Sequence, residues 1–489
     1  MKRGRSRIGS DRAHLVVRPS NDPWTEFGIH CSHDHARPWT PRVNHMSLTA
    51  ERFGDREGRI VGSSGAMRIT NPLPQKYLTT EAGVGGRIKV RAEDFLVDEL
   101  PLYEPAGDGE HLYLGVEKTN VAHGELMSCL RRHFNVDERA IGFAGMKDKV
   151  GVTRQVVSIQ LLNDPPNTEI NHGRIKVLWA TRHRNKIRLG HLAGNRFSIR
   201  IRDVQPGKAV QALRILRKLE QAGVPNYFGS QRFGYRRNNH LIGAALLQGD
   251  WEGMLKHLLG GTGGNYPLYQ QPRRELFDAG RYAEAAALWT AADRAERIAC
   301  TRLAQGRSKK DSCLATGQTT LAFWISALQS AIFNRVLDRR LEQSTIAELR
   351  PGDIAFKHET RGMFHVTETE LSDGQLPRRI AAMEISPSGP LWGKDMMQPA
   401  GPTLEIEREA LDAAGLSTEA MFNSRSSPEG GRRPLRVNLQ NPSIEAGVDE
   451  HGEFIRVAFD LPRGAYATIV LREIMKTDQI DLDDSPASA

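Results

Sequence analysis

A strand-like alternation of apolar and polar residues runs through the first half of this chain, stops near residue 240, and returns only after residue 430. Ile88 and Val90, Phe95 and Val97, Leu112 and Leu114, and then Val157, Ile159 and Leu161 sit at every second position, the period of a half-buried strand. Val437, Ile455, Val457 and Phe459 restore that period near the end. Between the two, Leu321, Trp324, Ile325, Leu328, Ile332 and Val336 recur at helical spacing and mark a long amphipathic helix. A strand-rich pattern that is interrupted and then resumed implies an inserted domain. The expected division is a basic, disordered N-terminal extension (1–66), the first part of a sheet-bearing domain (67–239), a helix-rich insertion (240–428), the second part of the first domain (429–480) and a tail (481–489). Ser424–Gly431 is a linker by composition.

A chain of 489 residues exceeds what one core usually covers, and 39% apolar with 26% charged residues is the composition of a folded protein. No apolar run approaches the roughly 18 residues that a membrane span needs, and the start lacks the apolar region of a signal peptide. The cytoplasm is the expected location. Cys31, Cys129, Cys300 and Cys313 lie far apart, which argues against a disulfide scaffold and a structural zinc site. A net charge of +9 suits a polyanionic partner, although charge alone does not choose between nucleic acid and anionic membrane. In the extension, which also reads as sequence upstream of a start near Met67, Cys31, His33 and His35 are too few for a structural zinc, and no metal is expected.

Chemistry concentrates in Gly142–Gln155, where Asp148 stands between Lys147 and Lys149 on a glycine-rich turn that precedes a strand. Such a turn is a platform that presents a carboxylate, and it is equally the form of a solvated loop. Thr119 or Asn120 is placed to cap a helix carrying Ala122, Leu126, Cys129, Leu130 and Phe134, which leads into that turn. Farther on, Phe197, Ile199 and Ile201 face one way on a strand while Arg196, Arg200 and Arg202 face the other. The arginine face suits RNA phosphates or open solvent alike.

Gly145-Met146-Lys147-Asp148-Lys149 followed by Val152-Thr153-Arg154-Gln155 resembles the signature of the TruD family of tRNA pseudouridine synthases. Four further blocks resemble that family in order: Lys89–Phe95, Gly190–Phe197, Pro225–Gly234, and Leu461–Thr468 with Leu471-Arg472-Glu473. Five ordered blocks are far more specific than one short motif. The resemblance implies an α+β fold, with a pseudouridine synthase catalytic core built on a mixed, mostly antiparallel sheet and an inserted α/β TRUD-type domain. It implies isomerisation of uridine to pseudouridine at position 13 of tRNA.

That reaction breaks the bond from C1′ to N1, turns the uracil and joins C1′ to C5. Nothing is oxidised and no group is imported, so no cofactor is expected, and the partner is tRNA met by a monomer. A carboxylate suits the task because it both attacks and leaves readily. By resemblance Asp148 is the catalytic nucleophile and Lys89 orients it. Phe95, Phe197 and Tyr466 would line the uracil pocket, and the Asn195 amide would hydrogen-bond the base. From the residues alone, Phe95 and Phe197 read first as core, and Asn195 reads equally as a turn residue. Lys147, Lys149, Arg196, Arg432, Arg433 and Arg436 are the expected tRNA contacts, while Tyr227, Phe228 and Phe233 are expected to pack. The rival from another class is a non-catalytic RNA-binding or RNA-remodelling protein on the same scaffold. A metal-dependent nuclease would need clustered carboxylates or histidines near Asp148, and the local sequence has none.

Overall fold

The computed structural model describes residues 69–165, 167–262, 266–422 and 428–477. The expectations for the N-terminal extension, the Cys31, His33 and His35 group and the tail lie outside these residues. Strands β1 (Phe95–Pro101), β2 (His111–Thr119), β3 (Ile141–Phe143), β4 (Val152–Gln160), β5 (Ile175–His183) and β6 (Leu192–Arg202) come first in the chain. They are followed by β7 (Val224–Pro225), β8 (Ile354–Lys357), β9 (Met363–His365), β10 (Ile385–Leu391), β11 (Gly431–Pro434), β12 (Arg436–Val437), β13 (Gln440–Asp449) and β14 (Gly452–Pro462).

The main sheet has eight strands in the order β13-β14-β6-β1-β4-β2-β5, with β3 beside β4. All its pairings are antiparallel except β1 with β4, so the sheet is mixed and mostly antiparallel. The late hairpin β13–β14 docks on β6, with Phe459 opposite Phe197 and Leu461 opposite Asn195. The alternations at Phe95–Val97, Leu112–Leu114, Val157–Ile159 and Ile455–Phe459 therefore belong to one sheet, whereas Val437 lies on β12, which pairs with β7. A second, four-stranded sheet, β11-β10-β8-β9, lies within the intervening segment. Because β11 pairs with β10, Gly431–Pro434 belongs to this second sheet rather than to the resumed first domain.

Two helical covers divide one face of the main sheet. Helix α1 (His123–Phe134) packs Leu126 and Leu130 against Leu114, Val116 and Val157. Helix α2 (Ala209–Ala222) and the C-terminal helix Ala467–Met475 pack Ile215, Leu219, Ile469 and Ile474 against Ile199, Ile201 and Val457. The registers set Lys118, Thr153, Val97, Phe197 and Phe459 in a row across β2, β4, β1, β6 and β14. Residues directly opposite share a face, so this row crosses the sheet where one cover gives way to the other.

The long helix Gln318–Glu342 of the intervening segment is fastened to the main unit by buried polar groups. Asp338 Oδ1 accepts from the Tyr227 hydroxyl at 2.6 Å and from the Gln75 and Lys76 amides at 3.0 and 3.1 Å. Asn334 Oδ1 accepts from the Phe228 amide at 2.9 Å. Tyr227, Phe228 and Phe233 are buried and pack as the sequence suggested. In the C-terminal helix, Glu473 accepts from the Leu78 and Thr79 amides, and Arg472 donates to the Lys76 and Pro74 carbonyls. The Leu471-Arg472-Glu473 block thus ties residues 74–79 to the core.

Two local expectations change. The first strand begins at Phe95, not at Ile88: a short 3-10 turn, Ala92–Asp94, precedes it, and Val90 is exposed. Lys89 accordingly adopts a left-handed backbone, φ 56°, instead of a strand face. Neither Thr119 nor Asn120 caps α1, whose cap position is Ala122. Asn120 is itself left-handed (φ 53°), and its side chain caps the Asp148 turn instead.

Candidate active site

The Asp148 turn joins β3 to β4 and is held from three directions. Beneath it, Lys118 projects from β2 on the apolar register of Leu112, Leu114 and Val116, and is 1% exposed. Its ammonium donates to the carbonyls of Asp148 at 2.6 Å, Val121 at 2.7 Å and Lys147 at 3.5 Å. At the near end, the Lys147 side chain turns inward to Glu99 on β1, at 2.6 Å, and to Asn195 Oδ1 on β6, at 2.8 Å. At the far end, Asn120 Oδ1 accepts from the Gly151 backbone amide while the Asn120 backbone amide donates to the Gly151 carbonyl, both at 3.0 Å. Gly151 itself is left-handed, φ 124°, and a Cβ there would stand 2.6 Å from the Phe95 carbonyl oxygen. Only glycine lets the turn approach β1 so closely.

Asp148 is half-buried and makes no ion pair among the described residues, while Lys149 is exposed. Lys89 does not reach it: its ammonium lies over the Phe95 ring, 4.9 Å from the centroid. The backbone of the turn is instead held by Lys118 and Asn120, and the Lys147 side chain ties it to Asn195.

The expected pocket residues fall into two groups. Phe95 (1% exposed) and Phe197 (8% exposed) belong to the main core, with Phe197 tilted against Phe459 at 5.6 Å. They form a floor. Asn195 and Tyr466 are half-buried and lie on accessible ground. Tyr466 precedes the C-terminal helix and is set by the Arg463–Ala465 loop. That loop is tied on two sides. Arg433 donates to the Gly464 carbonyl at 2.8 Å and lies over the Phe228 ring at 4.2 Å. Arg463 donates to the Gly190 carbonyl, and the Gly190 amide donates to the Ala144 carbonyl at 2.7 Å. The Gly190 turn thus links the Tyr466 loop to the Asp148 loop.

Burial revises most of the expected tRNA contacts. Arg432 is buried with both Nη atoms on Glu407 at 2.7 and 2.8 Å, and Arg436 is buried on the Ser386 hydroxyl and the Ala222 and Ile380 carbonyls. Lys147 is likewise interior. A guanidinium or ammonium already desolvated on internal partners is not available to a phosphate. Arg433 is half-buried and committed to its loop, and burial pulls it down to about 10. Arg196 makes a two-point pair with Asp460 at 2.8 and 3.0 Å, and Arg202 is buried between Asp94 and Asp449. The arginine face of β6 is therefore a ladder of ion pairs. Lys149, exposed, is the one expected contact with no internal partner among the described residues.

Three polar residues were missed by sequence reasoning. Glu99 continues the Phe95, Val97 alternation and Lys118 continues that of Leu112, Leu114 and Val116. A charge in an apolar register is the signal that identifies both. Gln155 is 2% exposed, and neither of its amide heteroatoms has a partner among the described residues. Among those residues no group of three or more His, Cys, Asp or Glu could hold a metal. A cavity of about 940 Å³ lies apart, between residues 69–75, the helix Gln318–Glu342 and residues 406–417.

Comparison with known proteins agrees with this architecture. The family model for tRNA pseudouridine synthase D (TruD) matches residues 74–474. A curated tRNA pseudouridine synthase D of Geobacter sulfurreducens is 42% identical over 405 residues, covering 82% of this chain and 97% of the relative. That of Thermus thermophilus is 35% identical, covering 86% of this chain and 97% of its own length. A crystal structure from Methanosarcina mazei described as TruD superposes with a TM-score of 0.71 at 28% identity, covering 84% of this chain and 98% of that one. Matched along nearly its whole described length in sequence and in fold, the chain belongs to the TruD family of tRNA pseudouridine synthases.

Proposed function

We propose that the chain isomerises uridine to pseudouridine in tRNA, at position 13, with Asp148 as the nucleophile and no cofactor. The observation that carries this reading is the three-sided fixation of the Asp148 turn beside an amide, Asn195, whose orientation is set. A carboxylate held at fixed backbone coordinates meets the substrate without first being ordered, which is where much of the rate advantage of an enclosed site arises. The substrate comes from the names of the relatives, which are tRNA pseudouridine synthases D.

Each neighbour then has a task. Lys147 occupies Asn195 Oδ1, so the Asn195 amino group is the part left to donate to a uracil carbonyl. Extracting the target base costs a few kcal/mol, and stacking on an aromatic face returns about 1–3 kcal/mol per base. Tyr466 supplies that face, with Phe95 and Phe197 as the apolar floor. Lys149, exposed at the rim, meets phosphate. Lys89, resting on the Phe95 ring, carries its charge to the same mouth. A tRNA substrate implies work in the cytoplasm, and the chain acts there as a monomer.

Mapping pseudouridine in tRNA from cells with and without the protein tests the reading. Loss of the modification at position 13 alone is the expected result. An unchanged tRNA profile favours the non-catalytic RNA-binding alternative.

A further inference from the structure

We infer that Lys118 is the positioning residue of the reaction: its buried ammonium gathers the turn that carries Asp148, and turnover requires that it keep its proton. This rests on Asp148 being the nucleophile. The geometry is unusual for a lysine. At 1% exposure the ammonium has no carboxylate within ion-pairing distance among the described residues, and its three donors are spent on the carbonyls of Val121, Lys147 and Asp148. Those carbonyls belong to the end of β2 leading into α1 and to both residues at the crest of the turn. One cation thus joins the entry of α1 to the backbone of the nucleophile.

A buried unpaired charge disfavours the folded state unless something else requires it. Burial lowers the Lys118 ammonium to about 8, with Asp148 and Glu125 acting to hold the proton and Lys147 acting to expel it. At the start of α1, burial, Lys118 and Lys147 lower the pKa of His123, with Glu138 acting the other way. Loss of the proton leaves an amine with two hydrogens against three carbonyls, so the turn loosens as pH rises through about 8. The signal in sequence is a lysine in an apolar strand register.

Single-turnover rates with a tRNA transcript at saturating enzyme test this, with Asp148→Asn as reference. Lys118→Met should lower the rate constant at least 30-fold while tRNA affinity changes less than threefold. Lys118→Arg, which keeps a cation, should recover part of that loss and remove the alkaline fall. The unsubstituted enzyme should lose rate along a single-proton limb centred near pH 8, which gives a second answer should Lys118→Met fail to fold. A rate in Lys118→Met within threefold of the parent, or a flat parent profile to pH 9.5, overturns the inference. Activity in Asp148→Asn overturns the underlying reading instead, so the two failures are told apart.

Discussion

Lys147 Nζ donates to Asn195 Oδ1 across 2.8 Å, so a lysine of the Asp148 turn fixes the orientation of the Asn195 amide. The same ammonium is 2.6 Å from Glu99, and both charged groups are almost wholly buried. A residue that resembles a phosphate contact in sequence is in structure an internal strut. Lys147→Met should therefore reduce turnover about 10- to 100-fold by freeing the turn and the amide, with tRNA affinity nearly unchanged. Separate measurement of kcat and of tRNA Kd checks this; a loss confined to Kd contradicts it.

Glu99→Ala leaves the Lys147 ammonium buried beside an empty site. Removal of one partner of a buried pair costs about 3–5 kcal/mol, and urea denaturation should show a loss of that order. Because the pair is screened from solvent, the loss should be similar in low and high salt.

Arg432→Ala and Lys149→Ala should have opposite signatures. Arg432 on β11 forms a fully buried pair with Glu407 of the helix Gly401–Ala413, so its loss should cost about 3 kcal/mol or more of stability. Lys149 is exposed, and its loss should leave stability unchanged while flattening the log-log salt dependence of tRNA binding by about 0.9. Thermal melts and a salt titration of Kd distinguish the two.

Acidification should act on the ion pairs that close the sheet. The Arg202 guanidinium beside Asp449 holds that carboxyl down to about 2, against about 3.9 for an unfolded aspartate. A depressed carboxylate contributes stability that is present above pH 4 and is lost as pH falls through 2, because the unfolded chain binds its proton first. The melting temperature of Asp449→Asn should fall less between pH 4 and pH 2 than that of the parent.

Much of this architecture is written in local pattern. The alternations at Phe95–Val97, Leu112–Leu114 and Ile455–Phe459 and the helical spacing around Trp324 all correspond to elements of the structure. The resumed alternation after residue 430 marks the return to the main sheet at β13 and β14, since a strand with one buried face must show it in sequence. Side-chain partners are not local. Arg196 finds Asp460, Arg432 finds Glu407 and Lys147 finds Glu99 across large separations, and no pattern in the flanking residues distinguishes a paired cation from one open to phosphate. Lys89 shows the same limit for backbone: alternation suggested a strand, but the short 3-10 turn before Phe95 takes the chain out of the sheet there.

The most direct test of the account is pseudouridine formation by Asp148→Asn on a tRNA substrate, measured alongside tRNA binding. The account predicts no detectable isomerisation with affinity within a few-fold of the parent, since the amide retains the shape of the carboxylate and the surrounding cations and rings are untouched. Isomerisation at a rate near the parent's would contradict it.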